Sequence, residues 1–164
     1  VHLMRDPFPD ADGRPQMSGE TLIIGIGNDF RCDDGVGLAV AAAIADRRIA
    51  GVRVMTDIGD PASILDAWTG VPLVIAVDAA MGDGATPGRI RRWTPQECTE
   101  PTAVSSHTFG LAQAYSLGRA LGRLPRQLVV FTVDVADVRP DVGLTSTVAA
   151  AVPLLVKAVL AELH

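Results

Sequence analysis

The run TLIIGIG, residues 21–27, is short, apolar and rich in β-branched residues, with no alternation of polar and apolar positions. A strand of that pattern has no wet face, so it belongs inside a parallel sheet covered on both sides. PLVIAVDAA at 72–80 and QLVVFTVDV at 127–135 repeat the pattern, and VRVMTD at 52–57 reads as a further strand. Helical segments separate them: GVGLAVAAAIADRR, PASILDAWTG opened by Pro61, FGLAQAYSLGRALG, and a last one from about residue 146 to 162. The polar strand RIRRWT suits a sheet edge. Strands alternating with helices predict an α/β fold: a three-layer doubly wound sandwich of about five mostly parallel strands with helices on both faces.

With 164 residues and 48% hydrophobic composition, the chain can bury one substantial core. Residues 20–164 are expected to form a single domain. Residues 1–19, rich in turn formers and lacking the apolar centre of a signal peptide, read as a disordered leader, with Met17 just ahead of the first strand. A net charge of -5 supplies no broad positive field for a phosphate backbone, so no nucleic-acid partner is expected. No apolar run approaches the ~20 residues that cross a bilayer, so no membrane partner is expected. Cys32 and Cys98, the only thiols, lack the spacing of a zinc or redox pair and fit a reducing cytoplasm.

Ligands of doubly wound folds bind beyond the carboxyl ends of the strands. The polar residues expected there are Asn28, Asp33, Asp34, Asp57, Asp60, Asp78, His107, Asp134 and Asp137. GIGNDF invites a dinucleotide site, with Asp57 placed like a ribose-binding acid, but Phe30 stands where the third glycine is required. A pyrophosphate there would also face Asp33 and Asp34, and like charges about 4 Å apart cost on the order of 4 kcal/mol at an effective dielectric near 20. That reading is rejected. Asp33 and Asp34 can instead cap the following helix, worth ~0.3–1 kcal/mol, or form part of a site.

Asp78 is the first charge after the unbroken run PLVIAV and is expected to close the third strand at the sheet's carboxyl edge. A carboxylate there is costly without a partner, although a turn-capping role is the alternative. His107, in SSHTFGL, precedes a helix whose positive dipole end favours the neutral imidazole, the form that ligates metals; a surface-loop histidine is its alternative. Two aspartate oxygens and one imidazole nitrogen, without thiolate, suit a borderline divalent ion such as nickel, zinc or manganese. Cys32, beside two carboxylates, reads as structural, and Trp68 and Trp93 as packing residues.

IGIGNDFRCDDGVGLAV resembles the opening signature of the hydrogenase maturation endopeptidases, which trim the C-terminal extension of the nickel-iron hydrogenase large subunit. The resemblance continues through VIAVDAA, SSHTFGLAQAYSL and RPDVGLTSTVAAAVPLL and spans roughly residues 21–163. It implies a metal site and a catalytic set of Asp34, Asp78 and His107. It also implies a protein partner, the large-subunit precursor, which carries the nickel; other divalent ions can fill the site in the isolated protein. Position 34 is Asp where some members have Glu. FTVDVADVRP departs from the family's Pro-Glu stretch, with Val135 and Ala136 standing there. Two further readings accompany this one: a non-catalytic, nickel-sensing binder of the immature subunit, and a related α/β peptidase with another protein substrate.

Overall fold

Five strands form one sheet in the computed structural model, which describes residues 20–28, 32–81, 84–95, 109–135 and 143–163. They are β1 (Thr21–Ile26), β2 (Val52–Asp57), β3 (Leu73–Ala80), β4 (Ile90–Trp93) and β5 (Gln127–Asp134), in the order β2-β1-β3-β5-β4. The first three and β5 are mutually parallel, and β4 runs antiparallel to β5 at one edge. The leader at 1–19, His107, Asp137 and Cys98 lie outside the described residues.

The helices are α1 (Val36–Ala45), α2 (Pro61–Trp68), α3 (Phe109–Leu121) and α4 (Ser146–Ala161). Side-chain alternation along the strands divides the core in two. Ile23, Ile75, Val77, Val129 and Phe131 pack with α1 and α4 on one face. Leu22, Ile24, Val74, Ala76 and Val130 pack with α2 and α3 on the other. The expected three-layer sandwich is therefore present, and strands without polar alternation are explained by two dry faces. Edge strand β4 carries the polar side chains: Arg91 pairs with Asp134 and Arg92 with Glu162. Trp68 is fully buried, with its indole N–H donating to the Arg123 carbonyl, and Trp93 packs at the core margin, as expected of packing residues.

Gly25 and Gly27, which imitate a nucleotide loop, serve close packing, as does Gly37 further along the chain. A Cβ on Gly25 would collide with the Gly37 carbonyl, and one on Gly37 would collide with the carbonyls of Ile26 and Val77. Helix α1 thus lies almost on the sheet backbone, over the ends of β1 and β3.

One boundary differs from expectation. Asp78 does not close β3, which continues to Ala80 because β5 keeps pairing through Asp78↔Thr132 and Ala80↔Asp134. On its other side the β1 ladder stops at Gly25↔Val77. Asp78 is the first residue of β3 beyond that ladder.

Candidate active site at the sheet switch point

From β1 the chain leads to β2 on one side, whereas β3 lies on the other and leads away toward β5 and β4. Connections leaving β1 and β3 diverge, which opens a crevice at the carboxyl ends of these strands. Residues 32–35 after β1 form a 3₁₀ turn, Cys32–Gly35, that carries Asp33 and Asp34 and rests against β3. Gly27 allows this approach, because a Cβ there would meet the Asp34 carbonyl. Asp34 and Asp78 are thereby brought to one place, 4% and 0% exposed, close enough for their charges to interact.

Asp78 Oδ1 accepts the Ala79 N–H at 2.8 Å, while Oδ2 has no hydrogen-bond partner among the described residues. Burial pushes its carboxyl well above the ordinary carboxylate range; the Ala79 N–H opposes this, and the charge of Asp34 adds to it. A buried carboxylate oxygen without a partner is costly in a finished core and useful in a site. Such a pair can share a proton or hold a divalent cation; carboxylate oxygens alone suit hard ions such as magnesium or manganese, and the borderline ion expected from the sequence also calls for the His107 nitrogen. Among the described residues no group of three His, Cys, Asp or Glu could hold a metal ion. The third expected donor, His107, lies outside them. Helix α3 does start at the right edge, since Gly110 packs against the carbonyl of Gly59 in the loop after β2.

The neighbouring carboxylates have other duties. Asp57 accepts from the N–H groups of Gly59 and Asp60. Asp60 caps α2 through Ala62 and also accepts from the Ser63 hydroxyl. Asp134 accepts from Thr86 N–H and pairs with Arg91. Asp33, read from sequence as a possible cap of α1, serves a different helix: α1 has no side-chain cap, and Asp33 receives the Thr145 N–H at 2.7 Å and the Thr145 hydroxyl at 3.0 Å. The sequence placed the last helix from about residue 146 and left Thr145 without a role; 112 residues separate it from its partner, and no local pattern announces that contact.

Fold and site together define a doubly wound α/β protein with a buried carboxylate pair at its switch point. Residues 53–162 match the sequence model of the HycI family, hydrogenase maturation proteases, a span that contains Asp78 and His107. The chain belongs to the hydrogenase maturation protease family. It is 29% identical over 155 residues to the hydrogenase 2 maturation protease of Escherichia coli strain K12, covering 87% of this chain and 90% of that one. The solved hydrogenase maturating endopeptidase HybD from E. coli superposes with a TM-score of 0.77 at 25% identity, over 88% of this chain and 91% of that one. The nickel-iron hydrogenase maturation protease HybD from Thermococcus kodakarensis shares the fold, with a TM-score of 0.75 at 21% identity over 88% and 99% of the two chains.

Proposed function

We propose that this protein is the endopeptidase that removes the C-terminal extension from the large-subunit precursor of a nickel-iron hydrogenase after nickel insertion. The observation that carries this reading is the buried Asp34–Asp78 pair at the switch point of a hydrogenase maturation protease fold, with one Asp78 oxygen unpartnered among the described residues. Hydrolysis adds water across the scissile peptide bond. The water oxygen bonds to the carbonyl carbon, the C–N bond breaks, and a proton passes to the departing amine. A carboxyl group held above its ordinary range suits such proton transfers near neutral pH.

Nickel enters this scheme as part of the substrate. Asp34, Asp78 and His107 are assigned as the donors that meet the nickel of the precursor, which would hold the scissile bond against the carboxylates and polarise its carbonyl or a water. Other divalent ions are expected to occupy the same donors in the isolated protein. Action in the cytoplasm is in keeping with a chain that has only two cysteines.

The test is the intact mass of a nickel-loaded large-subunit precursor incubated with the purified chain. Loss of the mass of the C-terminal extension with wild type, and its retention with Asp78→Asn or His107→Ala, is the expected result. A wild-type chain that binds the precursor and leaves it untrimmed would overturn the peptidase reading in favour of a non-catalytic binder.

A further inference from the structure

We propose that Asp33 is a positioning residue of the peptidase, acting through its neighbour Asp34 by way of a clamp to Thr145; the inference rests on the function proposed above. Asp33 is 0% exposed, and its two carboxylate oxygens receive the backbone N–H and the hydroxyl of Thr145. Thr145 stands at the N-cap of α4 and makes no side-chain cap bond there. A threonine at an N-cap ordinarily accepts an N–H from the first turn of its own helix. Here its hydroxyl donates to Asp33 instead, so local capping of α4 is given up for a contact with the 3₁₀ turn.

The turn is consequently held from two sides. Gly27 packs against the Asp34 carbonyl, and Thr145 grips the side chain one residue earlier. Leu144, next to Thr145, packs into the core beneath α4, which makes the anchor firm. A turn of four residues has little room to move one side chain without moving the next. Asp33 therefore sets the direction from which the Asp34 carboxylate meets Asp78. Residues that orient a site's acting groups typically contribute 10–100-fold to activity or metal affinity when removed.

The experiment is a steady-state time course of precursor trimming by wild type, Asp33→Ala, Asp33→Asn and Thr145→Val, each first checked for a native circular-dichroism spectrum and a thermal midpoint above the assay temperature. Asp33→Ala is expected to lower kcat roughly 10–100-fold with KM within about two-fold, since the reacting groups are displaced while the precursor still docks. Asp33→Asn should restore kcat to within about three-fold of wild type, because a carboxamide oxygen can accept the Thr145 N–H and its NH₂ can donate to the Thr145 hydroxyl oxygen. Thr145→Val, which removes only the hydroxyl, should fall between them, and it carries the test if Asp33→Ala does not fold. Wild-type kcat in folded Asp33→Ala, or in Thr145→Val where Asp33→Ala does not fold, would overturn the proposal. So would an Asp33→Asn variant as impaired as Asp33→Ala, which would make the charge itself the acting feature. A wild-type chain that trims no precursor would remove the function proposed above, and this inference with it; trimming by wild type with no effect of the clamp variants would remove this inference alone.

Discussion

Adjacent aspartates in one turn have separate fates. Asp33 is engaged by Thr145, and Asp34 lies close enough to Asp78 for their charges to interact, so chemically identical side chains take different partners through their surroundings alone. Asp78 carries the sharper consequence. Its folded carboxyl keeps its proton to a higher pH than the unfolded chain, whose carboxyl titrates near the ordinary value of about 3.9. As pH rises past that value the unfolded chain releases its proton first, and the stability contributed by protonated Asp78 is lost until the folded carboxyl has titrated. Asp78→Asn keeps an oxygen for the Ala79 N–H and removes the buried charge. In chelator, its thermal midpoint should exceed that of wild type by more at pH 8 than at pH 5; equal gaps at both pH values would rule out burial of charge as the cause. The same substitution is expected to slow precursor trimming by roughly 10²–10⁴-fold, the range for losing a positioned acid or base.

Among the elements, α1 and α4 hold the site from one side of the sheet. Helix α1 depends on Gly37, whose missing Cβ lets it rest on the carbonyls of Ile26 and Val77. Gly37→Ala should lift the helix and lower stability by about 1–3 kcal/mol, the usual cost of overpacking, read as a lower urea midpoint at unchanged slope. Helix α4 contains Pro153 at an exposed interior position. A proline there forfeits one helical hydrogen bond and costs about 3 kcal/mol, against which a stiffer unfolded chain returns about 0.4–1 kcal/mol. Pro153→Ala should accordingly raise stability by about 2 kcal/mol in the same urea titration. The diverted hydroxyl of Thr145 adds to the cost of α4, since a lost N-cap is worth about 1 kcal/mol.

At the scale of the molecule, a sheet buried on both faces leaves its carboxyl edge as the natural place for a buried charged pair. There β1 ends early while β3 and β5 run on, so Asp78 has a strand on one side and the crevice on the other. A divalent ion that binds the folded chain at Asp34 and Asp78 must stabilise all of it by mass action. Nickel at 100 times its dissociation constant should add about 2.7 kcal/mol to wild type. Asp78→Asn should lose this gain, and an equal nickel-dependent rise in both proteins would place the ion elsewhere. No helix among the described residues is long and apolar enough to cross a membrane.

The order of strands and helices, the double-sided burial of β1 and β3, and the polar edge strand were all legible in the sequence, because hydrophobic period and turn chemistry are local properties. Asp78 was legible for the same reason, as the first charge after an apolar run, and the motifs shared with the hydrogenase maturation endopeptidases singled out Asp34 beside it. Glycines 25 and 27 were visible without their meaning; a phosphate loop and a close-packed helix both require missing Cβ atoms, and only the packed carbonyls separate the cases. The continuation of β3 past Asp78 was hidden because strand length there is set by β5, a partner about fifty residues away. The sequence alone determined which residue types could do chemistry at the strand ends. Tertiary structure decided which of them are already engaged, because a hydrogen bond between Asp33 and Thr145 depends on where two distant backbones meet and leaves no local pattern in either segment.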